Sequence, residues 1–529
     1  MAVMLSLNLV GALSSLYACT TIIIGKKASQ SGKIMIARNS DTIDARRAKN
    51  LKFYTPETGI NYIGLPYYDL ENDAQYDMAQ VTTNQQGVSL SATQTIQSNA
   101  TVLKLDAYHI SKLGAAEPNI PSIVMPYAHS ATQAVDILGR YIEQYGVSGK
   151  KGFGVLFADA KNAWYLETLS GHQWVAIRIP DEAYFVGANG PGQIQEYLPE
   201  KYHYKWSHYQ NKTPIEFAEE HQIAQYSEGV FNFRKTFADV TKQKNPHTNF
   251  VRLAYIQHQF NPSTHPFDEA AIHQAEFATF LIPEHLITLD EVKKIQASHY
   301  EDYQNFDPYL RANKKELKRI FYYPIANIRT SNAHVTVVDK PSNEDFTLAN
   351  VQYIALGMPT VSVYLPIYHG LSIIPDALQH ATAIPDDTTL FWQFRKLQTL
   401  IFLKDKQKGI AFDFRTRIAT LNTHYHELNQ RIYLLQQEME RAYQATGDKR
   451  LINAFTQQIV DLTFNVNKKL INHFMQMLKI NEHYGLTDDI KRQQWFAKKL
   501  RQQDCGYRMH SCKKTFQHKE NKFVDEPIL

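Results

Sequence analysis

The chain has 529 residues, 44% of them hydrophobic and 12% aromatic, and 56 basic against 52 acidic side chains leave a net charge of +4. So much apolar material with only 23 Gly and 21 Pro excludes a disordered or fibrous chain, and the near-balanced charge excludes a basic groove reader, so no nucleic-acid partner is expected. Three cysteines exclude a disulfide scaffold and a cysteine-rich zinc site.

Residues 1–18, MAVMLSLNLVGALSSLYA, form an apolar leader that ends in a small residue and carries no Lys or Arg. It reads as a signal peptide or propeptide, which places the mature protein outside the cell or at its surface, with the cytoplasm as the alternative. It is too short to span a bilayer comfortably, and no other uncharged apolar run is as long, so no stable membrane insertion is expected. CTTIIIGKK and KIMIARNSD follow as β-rich runs, and residues 19–41 therefore read as a hairpin turning near Ser31 and Gly32. Further strand-like runs are QGVSLSATQTI, GFGVLFAD, AWYLETL, QWVAIRI and AYFVGAN. Val135, Leu138 and Ile142 have helical spacing between Ser130 as N-cap and Gly146 as stop.

Residues 206–320 are aromatic and polar with short helices, after which AHVTVV, VQYIALG and SVYLPIY restore strand character and predict a late contribution to the first sheet. From about residue 388 the period changes. Leu428, Ile432, Leu435, Met439 and Ala442 form one helical stripe, and after Thr446-Gly447-Asp448 the series Ile452, Phe455, Ile459, Leu462 forms another, which predicts a long antiparallel helical hairpin. It reads as a layer capping the core, with a subunit contact in a homo-oligomer as the alternative. The organisation expected is α+β, with a catalytic domain over 19–385, a helical region of the same domain over 386–500 and a polar basic tail over 501–529. In the tail, Cys505 and Cys512 read as free thiols, to be bridged only if the protein is exported.

Cys19 stands where the leader ends and a strand begins. Cleaved before Cys19, the chain would carry a thiol nucleophile and a free α-amine of reference pKa about 7.7–8.0 on one residue, so that the amine could serve as the general base. Ala37-Arg38-Asn39-Ser40-Asp41 lies on the paired run, and a guanidinium near the thiol favours thiolate. Competing chemistries lack their motifs. His424, His426 and Glu427 do not share a helix face for metal capture, no HExxH string or GxSxG elbow exists, GANGPG lacks the GxGxxG register, and GVSGKKG lacks the Ser or Thr of a P-loop. No metal or cofactor is expected.

The opening CTTIIIG with ARNSD resembles the dipeptidase A family of cysteine N-terminal-nucleophile hydrolases, relatives of penicillin V acylase and bile salt hydrolase. So do residues 157–190, ASHYEDY, PIANIRTSNAHV and VQYIALGMPTVSVYLPIY, and the similarity extends over roughly residues 19–480. The resemblance implies an αββα sandwich and hydrolysis of dipeptides through an acyl-enzyme on Cys19. It further implies Arg38 beside the thiol, Asp41 holding the α-amine and Asn189 near the nucleophile. Arg252 matches a family arginine as a site-supporting ion pair or a plain helix residue, and Gln94 falls where the acylases carry an oxyanion-hole Asn. A sister acylase is the alternative enzyme. A lipoprotein acylated at Cys19 is the alternative of another class, disfavoured by Tyr17 in the box and by the strand that follows directly.

Overall fold

The computed structural model describes residues 19–506 except 43–46, 70–73, 77–80, 94–95, 112, 241–245, 274–276, 310–321, 343–344, 381, 383 and 411–412. The leader, Gln94 and Cys512 lie outside the described residues.

The N-terminal hairpin forms as its composition requires. Thr20–Ile24 and Ile34–Asp41 pair antiparallel, with Thr20 opposite Asn39 and Ile24 opposite Met35. Gly32 turns the chain at φ 67°, a left-handed conformation that glycine takes without a Cβ clash. This hairpin lies within a six-stranded sheet. Its first strand pairs with Tyr184–Gly187, and its second with Thr330–Val338, beyond which lie Asn350–Leu356 and Leu365–Tyr368. The late strands thus return to the first sheet. The runs between them build a second, eight-stranded antiparallel sheet whose middle strands are Trp174–Arg178, Ala163–Thr168, Gly154–Ala158 and Ser89–Thr93.

Side-chain alternation decides what each sheet face meets. Ile23, Ile34 and Ile36 share one apolar cluster with Leu156, Tyr165, Val175 and Ile177, so the two sheets pack face to face. The intervening Ile22, Ile24, Met35 and Ala37 instead meet the helices Val251–Phe260 and Leu289–Ala297. On the second sheet, Val155, Phe157, Trp164 and Leu166 pack against the helix Ala131–Tyr145. That helix begins where Ser130 Oγ accepts from the Gln133 amide and stops at Gly146, φ 72°. Burying an aliphatic side chain in any of these layers contributes about 1.5–3 kcal/mol. The fold is α+β.

The C-terminal region is helical. Phe414–Thr446 and Arg450–Met477 are joined through Gly447 at φ 67°, and their stripes, Leu428, Ile432 and Met439 against Ile452, Phe455 and Ile459, share a core with Leu365 and Ile367. The hairpin therefore packs on the late strands of the first sheet. The expected change of character at residue 500 falls inside the helix Asp489–Gly506, whose last turn contains Cys505. Among the described residues no helix is long and apolar enough to cross a membrane.

Candidate active site

Cys19 and Arg38 come together because the hairpin register dictates it. Ile23 and Ile36 face the inter-sheet core, and with period two the same face is continued by Thr21, Cys19 and Arg38 to the end of the layer. Thr21 lies opposite Arg38, and Arg38 Nη2 donates to Cys19 Sγ at 3.1 Å. The same nitrogen meets Glu117 Oε1 at 2.9 Å, in an ion pair buried on both sides. Burial opposes the charge of Arg38, but Cys19 and Glu117 more than offset it, so the guanidinium pKa rises above its ordinary value. Arg38 Nε and Nη1 are buried donors with no acceptor among the described residues.

On the other side of Cys19, Arg252 in the first turn of its helix holds the backbone. Its Nη1 donates to the Cys19 carbonyl at 2.6 Å and to Thr20 Oγ1 at 2.8 Å, and its Nη2 to Asn189 Oδ1 at 3.0 Å and Asn249 Oδ1 at 2.9 Å. None of these partners is charged, so Arg252 is a hydrogen-bonding hub rather than one half of an ion pair. Asn189 reaches it because Gly187, two residues earlier, lies against Thr21, where a Cβ would come within 2.6 Å of Thr21 Oγ1. With Oδ1 held by Arg252, the Asn189 amide has its NH2 group left to donate elsewhere.

Asp41 ends the second strand. Its carboxylate accepts from Thr330 Oγ1 and Asn327 Nδ2, both at 2.7 Å, and from the Tyr323 hydroxyl at 3.3 Å. Burial pushes it up to about 6 against those hydrogen bonds and against the positive charges of Arg252 and Arg329. Beside it the pairing of the second strand with Thr330–Val338 shifts register between Thr330 and Asn332. This irregularity inserts Ser331, whose Oγ donates to the Ser40 carbonyl. A small cleft is lined by Cys19, Arg38, Asp41, Glu117 and Ser331, and also by Arg47, Lys49 and Tyr67. Burial pulls Lys49 down to about 7, helped by Arg38 and Arg47 and opposed by Glu117 and Cys19.

The profile of peptidase family C69 matches residues 18–408, from the residue before Cys19 to just short of the long helical hairpin. The chain belongs to peptidase family C69. This is a family of cysteine peptidases of the N-terminal-nucleophile type. Among curated relatives, a probable dipeptidase of Salmonella dublin is 35% identical over 374 residues, covering 67% of this chain and 81% of the relative. Probable dipeptidase B of Lactococcus lactis subsp. lactis is 28% identical over 484 residues, 88% of this chain and 96% of its own. A probable dipeptidase of Latilactobacillus sakei is 28% identical over 493 residues, 86% and 99%.

Of the residues singled out from the sequence of this C69 peptidase, Cys19 is thus in direct contact with Arg38 and Arg252. Asn189 joins them through Arg252, and Asp41 shares the cleft. Glu117, Lys49 and the Thr330–Asn327 pair were missed. Glu117 sits 79 residues from Arg38 in a loop, and no local pattern marks a lone glutamate there. Lys49 carried a faint signal, a lysine in an otherwise buried Ala48-Lys49-Asn50-Leu51 run.

Proposed function

We propose that this C69 peptidase hydrolyses dipeptides, with Cys19 as an N-terminal nucleophile freed by removal of residues 1–18, through a signal peptidase or through self-cleavage. The observation that carries the reading is the 3.1 Å contact between Arg38 Nη2 and Cys19 Sγ at the wall of the cleft. A guanidinium at that distance favours thiolate, the form that attacks a carbonyl. The relatives' names supply the substrate class. The two stacked sheets with helices against both outer faces fit the αββα sandwich of N-terminal-nucleophile hydrolases.

In this reading the Cys19 thiol transfers its proton to its own α-amine and attacks the scissile carbonyl, forming a C–S bond and an oxyanion. Donors on either side of Cys19 are the Asn189 NH2 group, oriented by Arg252, and Arg38 Nε and Nη1, which have no acceptor among the described residues and suit the developing charge. The proton passes from the α-amine to the leaving amine as the C–N bond breaks, which leaves a thioester. Water, deprotonated by the same amine, attacks the thioester, releases the acid and returns the proton to sulfur. Asp41 orients the amine from the end of the second strand.

N-terminal sequencing of the purified protein should begin at Cys19, and Cys19→Ala should abolish dipeptide hydrolysis with an unchanged circular dichroism spectrum. Hydrolysis retained by Cys19→Ala overturns the nucleophile. Full activity in a chain that still carries residues 1–18 overturns the free-amine mechanism.

A further inference from the structure

Asn189 belongs to a loop that leaves the first sheet at the end of Tyr184–Gly187 and leads into the second. Asn189 is half-buried, whereas the other residues from Ala188 to Ile194 are buried. Ile194 already lies in the apolar cluster between the sheets, with Tyr165 of the strand Ala163–Thr168. Side chains two apart on a strand share a face, so Glu167 points from that strand into the same layer. It is fully buried. Its Oε2 accepts from the Gln193 amide at 2.8 Å and its Oε1 from the Ile194 amide at 3.3 Å.

The rest of the loop closes around this carboxylate. The Gln193 side chain donates back to the Ala188 carbonyl at 3.1 Å and to the Pro191 carbonyl at 2.8 Å, which brackets Asn189. The Gly190 carbonyl accepts from the Gln97 amide. Gly192 packs so closely that a Cβ there would come within 2.6 Å of Glu167 Oε1. Burial pushes the Glu167 carboxyl up to about 7, against the two loop amides, the Tyr165 hydroxyl and the positive charge of Arg234. An ionised acid in the interior is costly, and here the loop amides supply charge-assisted hydrogen bonds that favour it. A glutamine does not replace it, because one of its two ends donates and would face an amide N–H.

Arg252 holds the Asn189 side chain by its Oδ1, and Glu167 holds the backbone that carries it. A donor to a developing oxyanion needs both, since a displacement of about 1 Å costs up to about 10²-fold in rate. We propose that Glu167 is a positioning residue for hydrolysis: its carboxylate clamps residues 188–194 so that the Asn189 side-chain amide donates to the oxyanion formed on attack by Cys19. This role rests on the dipeptidase reading, in which Asn189 meets the oxyanion. Glu167 does not line the cleft and acts through the loop alone.

The test is a double-mutant cycle on the mature enzyme. Glu167→Gln should lower kcat on dipeptides by about tenfold or more with KM nearly unchanged. The rate at which iodoacetamide alkylates Cys19 should stay at the wild-type value, since alkylation at sulfur develops no oxyanion. In the Asn189→Ala background the same substitution should cost less than about threefold, because the donor it positions is gone. An unchanged kcat in Glu167→Gln, an equal loss with and without Asn189, or a parallel loss of Cys19 alkylation overturns the proposal; the last two are what a general loosening of the fold produces. Should Glu167→Gln not fold, Gly192→Ala, which drives a methyl group against Oε1, decides by the same cycle and the same outcomes. If Asn189→Ala leaves kcat unchanged, the clamp has no donor to position and the proposal falls, while loss of hydrolysis in Cys19→Ala still upholds the dipeptidase reading. Failure of the wild type to hydrolyse any dipeptide overturns that reading and the clamp with it.

Discussion

Replacing Glu117 by glutamine isolates the electrostatics around the nucleophile. Arg38 Nη2 is 3.1 Å from Cys19 Sγ and 2.9 Å from Glu117 Oε1, so thiolate and carboxylate can be no more than about 6 Å apart, a separation at which two like charges repel by about 2.8 kcal/mol at an effective dielectric of about 20. That is about a hundredfold in the thiolate equilibrium, and solvent in the cleft screens it toward tenfold. Glu117→Gln keeps the shape and removes the charge. The midpoint of the pH profile for alkylation of Cys19 by iodoacetamide should move to lower pH by about one to two units. The double variant Arg38→Met/Glu117→Gln removes both charges and leaves neither buried alone. It should move the midpoint up instead, because a charge-assisted hydrogen bond worth about 1.5–3 kcal/mol is lost. Modification is followed by mass spectrometry of the Cys19 peptide, since the chain has three cysteines. A Glu117→Gln profile that stays put or moves up would refute the argument that Arg38 is shared between two competing anions.

Asn189→Ala should lower kcat on dipeptides by about 10²–10³ with little change in KM, the pattern of a donor used in the transition state; a change confined to KM argues against that role. His334 is fully buried, its Nε2 2.9 Å from Ser91 Oγ in the other sheet, and burial, with Arg38 adding, pulls it down to about 3. Its stabilising contribution is present above pH 6.5 and is lost as pH falls toward the folded value, by about 2 kcal/mol at pH 5. His334→Gln should therefore lose about 2 kcal/mol less unfolding free energy than the wild type between pH 7 and 5 in urea titrations, and parallel losses would contradict this. Gly139→Ala places a Cβ 2.2 Å from Trp174 Cζ2 and should destabilise by about 1–3 kcal/mol, read from the urea midpoint at unchanged slope; a neutral result would mean that the helix shifts freely on the sheet.

Local pattern sufficed for much of the fold. The 19–41 hairpin, the helix between Ser130 and Gly146 and the long hairpin around Gly447 could be read from the sequence because a strand alternates with period two, a helix with period 3.6, and a left-handed glycine marks the stop. The contact of Arg38 with Cys19 was implied by the family resemblance rather than by periodicity. Nine residues connect the two strands, and the register that the fold selects puts Arg38 opposite Thr21 and on the face of Cys19. Arg252 could be singled out only by family resemblance, and its role differs from the ion pair considered: it ties the Cys19 carbonyl to Asn189 across the end of two paired strands.

Tertiary structure decided everything that depends on distant segments meeting in the cleft. Glu117 reaches Arg38 from a loop, Thr330 reaches Asp41 from the start of the strand that returns late to the first sheet and Asn327 from the turn before it, and Lys49 lines the cleft from the segment after the hairpin. No periodicity records such meetings, because each depends on which sheets stack and on where a register shift at Ser331 re-aims a side chain. Burial also set the charges. The same carboxyl and ammonium groups that titrate ordinarily in an open chain are held near 6 at Asp41 and near 7 at Lys49, since removal from water penalises the charged form and only the folded protein removes them.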